Sequence, residues 1–173
     1  MKGLQKQVKA ALNRGQDPKE KVLRNYSFTG NPGTGKTVVA RAFGEVFKGL
    51  GLLSDGKVAE CKANELIAGY VGQTAPLVKA KMDEARGGVL FIDEAYGLDP
   101  GPGGAYNFKK EALETLLGNL TDPQYQNKMI VILAGYTKDI ANLLASNPGL
   151  PSRFTKQIEF HEWPPESCLR LLL

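Results

Sequence analysis

At 173 residues the chain fits one domain, and a hydrophobic content of 42% is enough to build a core. Charge is close to balanced, with 22 Lys+Arg against 18 Asp+Glu, and the excess of +4 is spread along the chain, which gives no case for nucleic acid. No run of about 18 apolar residues and no leader pattern is present, so neither a membrane span nor export is expected.

Leu4, Val8, Ala11 and Leu12 recur at helical spacing, predicting an amphipathic helix over 4–14 that Gly15-Gln16-Asp17-Pro18 breaks. Asn25–Thr29 reads as a first strand. The segment from Thr37 to about Leu50 reads as a helix with Val38, Ala42, Val46 and Leu50 on its apolar face, ended by Gly49 and Gly51. Val58–Cys61 is a short strand, Ala63–Ala68 a short helix and Ala75–Ala85 a longer one. "GGVLFIDE" (87–94) is a continuous apolar run ending in two acids, as in a strand covered on both faces. The Gly- and Pro-rich stretch 98–107 reads as a mobile loop. Phe108–Leu120 is a helix, "MIVILAG" (129–135) a buried strand, Lys138–Ala145 a helix, and Gln157–Phe160 a last strand. Strands alternate with helices, which predicts a parallel sheet between helical layers. Cys61 and Cys168 lie far apart without CxxC spacing and read as free thiols of a reducing, intracellular setting, whether cytoplasm or an organelle lumen such as a stroma. The single His161 leaves no His-based metal or nucleophile chemistry.

Gly30-Asn31-Pro32-Gly33-Thr34-Gly35-Lys36-Thr37 fits the G-x-x-x-x-G-K-[ST] phosphate loop. Its four fixed positions arise by chance in roughly one such chain in a few hundred, and here they sit between a strand and a helix, as the chemistry requires. Glycines let successive N–H groups turn toward an anion, and the helix behind adds its dipole. Lys36 reaches the β- and γ-phosphates, and the Thr37 hydroxyl suits Mg²⁺. Residues 30–37, with Val38, are the candidate nucleotide contacts. Asp93 and Glu94 end a buried strand, where ligands of such sheets bind. Asp93 is the second candidate for Mg²⁺, and Glu94 the base that deprotonates the attacking water. The guanine-reading N-K-x-D element is missing, since "NKMI" at 127–130 lacks the acid, so ATP is expected over GTP.

With these motifs in hand, the sequence resembles the AAA+ ATPases, within them the CbbX-type Rubisco activases and the stage V sporulation protein K group. "FTGNPGTGKT", "GYVGQTAP", "GGVLFIDEAY", "VILAGY" and "SNPGLPSRF" carry the likeness over roughly residues 26–160. The resemblance implies a three-layer αβα P-loop NTPase with a five-stranded parallel sheet, occupying 23–165. Residues 1–22 would then be a linker helix, and 166–173 the start of a helical lid. It implies that Tyr70 is a pore-loop aromatic that grips a peptide, the plainer alternative being a packed loop tyrosine. It implies that Arg153 is an arginine finger acting in trans, the plainer alternative being a surface arginine paired with Glu159 or Glu162. The sensor position, often Asn in the family, offers Tyr136 and Thr137, and the residues leave that choice open. The implied partners are ATP/ADP, an unknown client protein and copies of the chain in a hexameric ring. The implied work is ATP-driven remodelling of the client, against the alternative of a nucleotide-responsive assembly module with little hydrolysis. Without a full lid the 173 residues alone are expected to turn over ATP poorly and to be monomeric.

Overall fold

The computed structural model describes residues 2–102 and 107–162. Five strands form one parallel sheet in the order β2-β3-β4-β1-β5: β1 (Tyr26–Thr29), β2 (Val58–Lys62), β3 (Val89–Asp93), β4 (Ile130–Gly135) and β5 (Lys156–Glu159). Alternation along the strands splits the core into two layers. Val89 and Phe91 of β3, with Ile130, Ile132 and Ala134 of β4, join Phe28 on one face. Leu90, Ile92, Val131 and Leu133 join the other. The central strands β3 and β4 are thus apolar on both sides, which is why 87–94 and 129–135 read as unbroken hydrophobic runs.

The first face is covered by α1 (Lys2–Asn13), α2 (Pro18–Val22) and α3 (Lys36–Gly49), and the second by α4 (Thr74–Ala85), α5 (Phe108–Asn119), α6 (Thr137–Ser146) and α7 (Gly149–Arg153). The segment expected as one linker helix is two helices. Asp17 accepts the Lys19 N–H at 2.8 Å and caps α2, whose first residue is Pro18. Leu4 and Val8 of α1 pack on the core.

The expected apolar face of α3 is corrected by the structure. Val38 is 69% exposed and Ala42 is also exposed; the buried line runs through Ala40, Gly44 and Phe47, with Val39 and Phe43 half-buried beside it. The reason lies in Gly44. A Cβ there would meet the Gly56 carbonyl oxygen at 2.3 Å, so the helix sits backbone to backbone on the segment leading into β2. Phe43 of the helix then meets Phe28 edge-on and Phe47 at a tilt. Sequence reading also missed α7, and it extended 63–68 as a helix where only a 3-10 turn at Ala63–Leu66 forms. A further 3-10 turn, Ala95–Leu98, follows β3. The loop expected at 98–107 falls partly outside the described residues, as does all of 163–173 with Cys168 and the expected lid. Cys61 is a buried free thiol. Among the described residues no helix is long and apolar enough to cross a membrane.

Candidate functional site

The carboxyl ends of β1, β3 and β4 open onto a cavity of about 420 Å³. Its lining includes Gly30, Pro32, Gly33, Gly35, Lys36, Thr37 and Val38 from the loop after β1 and the start of α3. Asp93, Glu94 and Tyr96 come from the end of β3, and Gly135 and Tyr136 from the end of β4. The loop starts by extending the sheet: the Gly30 N–H donates to the Gly135 carbonyl at 3.1 Å. Its backbone then needs glycine, with φ of +144° at Gly30, +76° at Gly33 and +92° at Gly35. Gly35 is also the N-cap of α3, so the free N–H groups of that helix open on the cavity.

Inside this loop the Lys36 ammonium donates to the Gly30 and Asn31 carbonyls, both at 2.7 Å. Burial lowers its pKa, and the Asp93 carboxylate opposes that shift. Asn31 and Thr34 are absent from the cavity wall. Asn31 Nδ2 donates to Glu162, and the buried Thr34 hydroxyl donates to the Asn31 carbonyl, so both brace the loop from outside. Asp93 accepts the Glu94 N–H at 2.9 Å. Glu94 adopts a left-handed φ of +50°, uncommon for a residue with a side chain, and turns the chain sharply into the following 3-10 turn.

Glu94 has a partner that sequence reading missed. Lys62 lies beside Asp93 in the β2–β3 register, and its Nζ meets Glu94 Oε1 at 3.0 Å. That hydrogen bond raises the pKa of Lys62. Only the pairing of β2 with β3 brings the two together. Tyr96 was missed as well, although it ends the "FIDEAY" run. Its ring packs over Gly135 and lies 6.4 Å from the ring of Tyr136. Burial raises the Tyr96 pKa, and the Glu94 carboxylate adds to the shift. Of the two sensor candidates, Tyr136 is on the cavity wall and Thr137 is not.

Two further candidates lie away from this cavity. Arg153 closes α7 and does not line the wall; its Nη1 donates to the Gly149 carbonyl at 3.1 Å. It does not pair with Glu159 or Glu162, and its Nε is buried without a partner among the described residues. Tyr70 and Val71 are each 73% exposed, so the packed-tyrosine alternative does not hold. The loop presenting them is closed from below, where the buried Thr74 hydroxyl accepts the Ala68 N–H at 3.1 Å.

A glycine loop, its lysine and an acid-tipped strand around one cavity of a parallel αβα sheet define a P-loop NTPase. The chain belongs to the ATPase family associated with various cellular activities (AAA), whose model matches residues 26–162. It is 43% identical over 149 residues to the ESX-1 secretion system protein EccA1 of Mycobacterium tuberculosis, covering 86% of this chain and 26% of that protein. It is 43% identical over 136 residues to the stage V sporulation protein K of Bacillus subtilis, covering 79% and 41%. Against the CfxQ homolog of Galdieria sulphuraria it is 40% identical over 147 residues, covering 85% and 47%. The chain therefore spans between about a quarter and a half of these relatives.

Proposed function

We propose that this chain binds and hydrolyses ATP as the motor module of a ring that remodels a partner protein. The observation that carries the reading is the meeting of Lys36, Thr37, Asp93 and Glu94 at one cavity, with Arg153 and Tyr70 directed elsewhere. The donor set fits Mg-ATP. The open side of the glycine loop suits a triphosphate, and a Cβ at Gly33 or Gly35 would stand in open space. Thr37 and Asp93 are the residues for Mg²⁺, which when bound neutralises charge on the β- and γ-oxygens. On this reading the Lys36 ammonium exchanges its two carbonyl acceptors for phosphate oxygens. Tyr136, which lines the cavity where Thr137 does not, takes on this reading the sensor role left open between the two.

Glu94 takes the proton of the attacking water. Its ion pair with Lys62 must first open, because a carboxylate already held by a cation is a poorer base. Arg153 does not line its own cavity, which supports service to a neighbouring copy. Fingers of this kind are worth ~10³–10⁵ in rate, or about 4–7 kcal/mol of barrier. Exposed Tyr70 would then grip the client.

The Lys62–Glu94 pair also favours a second reading, a nucleotide-responsive assembly module in which the base stays held and little ATP is turned over. Tyr70→Ala and Glu94→Gln in the assembled protein separate the two. Motor action requires that Tyr70→Ala stop remodelling while hydrolysis continues. Normal remodelling by Tyr70→Ala sinks the threading idea.

A further inference from the structure

A cavity of about 560 Å³ lies at the other end of the strands, between α1, α2 and the starts of β1 and β5. Four cations line it: Arg14, Lys21, Arg24 and Lys156. No carboxylate of the described residues is on its wall. Of the acids nearest in sequence, Asp17 is engaged as the α2 cap, and Glu20, next to Lys21, makes no ion pair among the described residues. Among the described residues none of the four cations is in an ion pair. They converge from separate elements, with Lys156 opposite Tyr26 in the β1–β5 register.

Arg24 is held in place. Its Nη1 donates to the Glu20 and Leu23 carbonyls at 2.9 and 2.6 Å. The phenol of Tyr26 is close enough to feel the Arg24 charge. Leu4, Ala11 and Val22 supply an apolar floor, and Gln7 and Gln16 add amide donors.

Like charges gathered around a hollow repel one another unless an anion sits among them. A small set of polar groups over an apolar floor is the anatomy of a small-molecule pocket. Paired guanidinium and ammonium groups match phosphate oxygens in both geometry and charge. A concave cluster suits a compact ligand better than an extended nucleic-acid strand, which needs a basic track. We propose that this cavity binds a small anion carrying two or more phosphate groups, at a site separate from the Lys36 loop and independent of the motor reading.

Titration calorimetry with inorganic tripolyphosphate tests it. The parent chain is expected to show two sites, because the glycine loop also accepts this probe. Lys36→Ala should keep one. Adding Arg14→Gln and Lys156→Gln, both exposed and therefore tolerated by the fold, should weaken that remaining site at least tenfold. If Lys36→Ala does not fold, the Arg14→Gln/Lys156→Gln pair must remove one of the two sites in the parent chain. ATP in place of tripolyphosphate tells whether a nucleoside is admitted; occupancy by either supports the site. The proposal fails if Lys36→Ala abolishes all binding, if the charge substitutions leave the second site unchanged, or if a hexaglutamate peptide binds there as tightly as tripolyphosphate.

Discussion

Gly30→Ala tests how the phosphate loop is tied to the sheet. Gly30 has φ +144°, and a Cβ there would stand 2.3 Å from the Phe160 carbonyl oxygen. Backbone strain of this type costs about 1–3 kcal/mol for a residue with a side chain. The clash must also move Phe160, whose N–H donates to Thr29 at 2.7 Å and whose ring lies 5.1 Å from that of Phe28. Losing that hydrogen bond adds about 0.5–1.5 kcal/mol. The expected total is about 2–4 kcal/mol, or a fall in Tm of about 4–16 °C for a domain of this size. Gly33→Ala is the control. Its φ of +76° carries strain, but nothing lies within 4 Å of the added Cβ, so the loss should be only about 1–2 kcal/mol. Urea unfolding followed by circular dichroism measures both. Equal losses in the two variants would refute the claim that contact with Phe160 fixes the loop.

Mg-ATP at ~100 times its dissociation constant should stabilise the chain by ~2.7 kcal/mol in a thermal-shift assay, and Lys36→Ala should abolish that gain. Asn25→Ala should cost about 1–3 kcal/mol in urea unfolding, because the Asn25 side chain accepts the N–H of buried Val131 at 2.9 Å. Alkaline pH should weaken the fold. Burial pushes the Cys61 thiol up to about 12, and burial with the Asp83 hydrogen bond pushes the Tyr125 phenol up to about 12. Both groups are neutral when protonated. Above the ordinary thiol range the unfolded chain therefore releases a proton that the native chain keeps, and stability falls as pH rises toward 12. The limiting slope is about 1.4 kcal/mol per pH unit for each group. Cys61→Ala should flatten urea midpoints between pH 9 and 10, and an unchanged slope there would remove Cys61 as the cause.

The parallel sheet and the residues of the main cavity were readable because they rest on local signals. Continuous apolar runs mark strands buried on both faces, and the glycine spacing marks the loop. The misreadings come from contacts made across the sequence. On α3 the deepest position is a glycine, so counting large apolar residues picked the face around Val38, which opens on the cavity instead. The helix α7 is five residues long and contains Pro151, too short for any period to register. Lys62 looks like an ordinary strand-end lysine until β2 is set against β3 and brings it to Glu94. Tyr96 gained its place from the turn that the left-handed Glu94 imposes.

The backbone-to-backbone seat of Gly44 on Gly56 has a mechanical meaning. Eight residues of helix, about 12 Å, separate it from Lys36. No rotamer stands between the two main chains to soak up a push. If an anion filling the loop, as proposed, shifts the tip of this helix, the joint would pass that shift to the segment that feeds β2, the strand that carries Lys62, and so would link the filled loop to the freeing of Glu94.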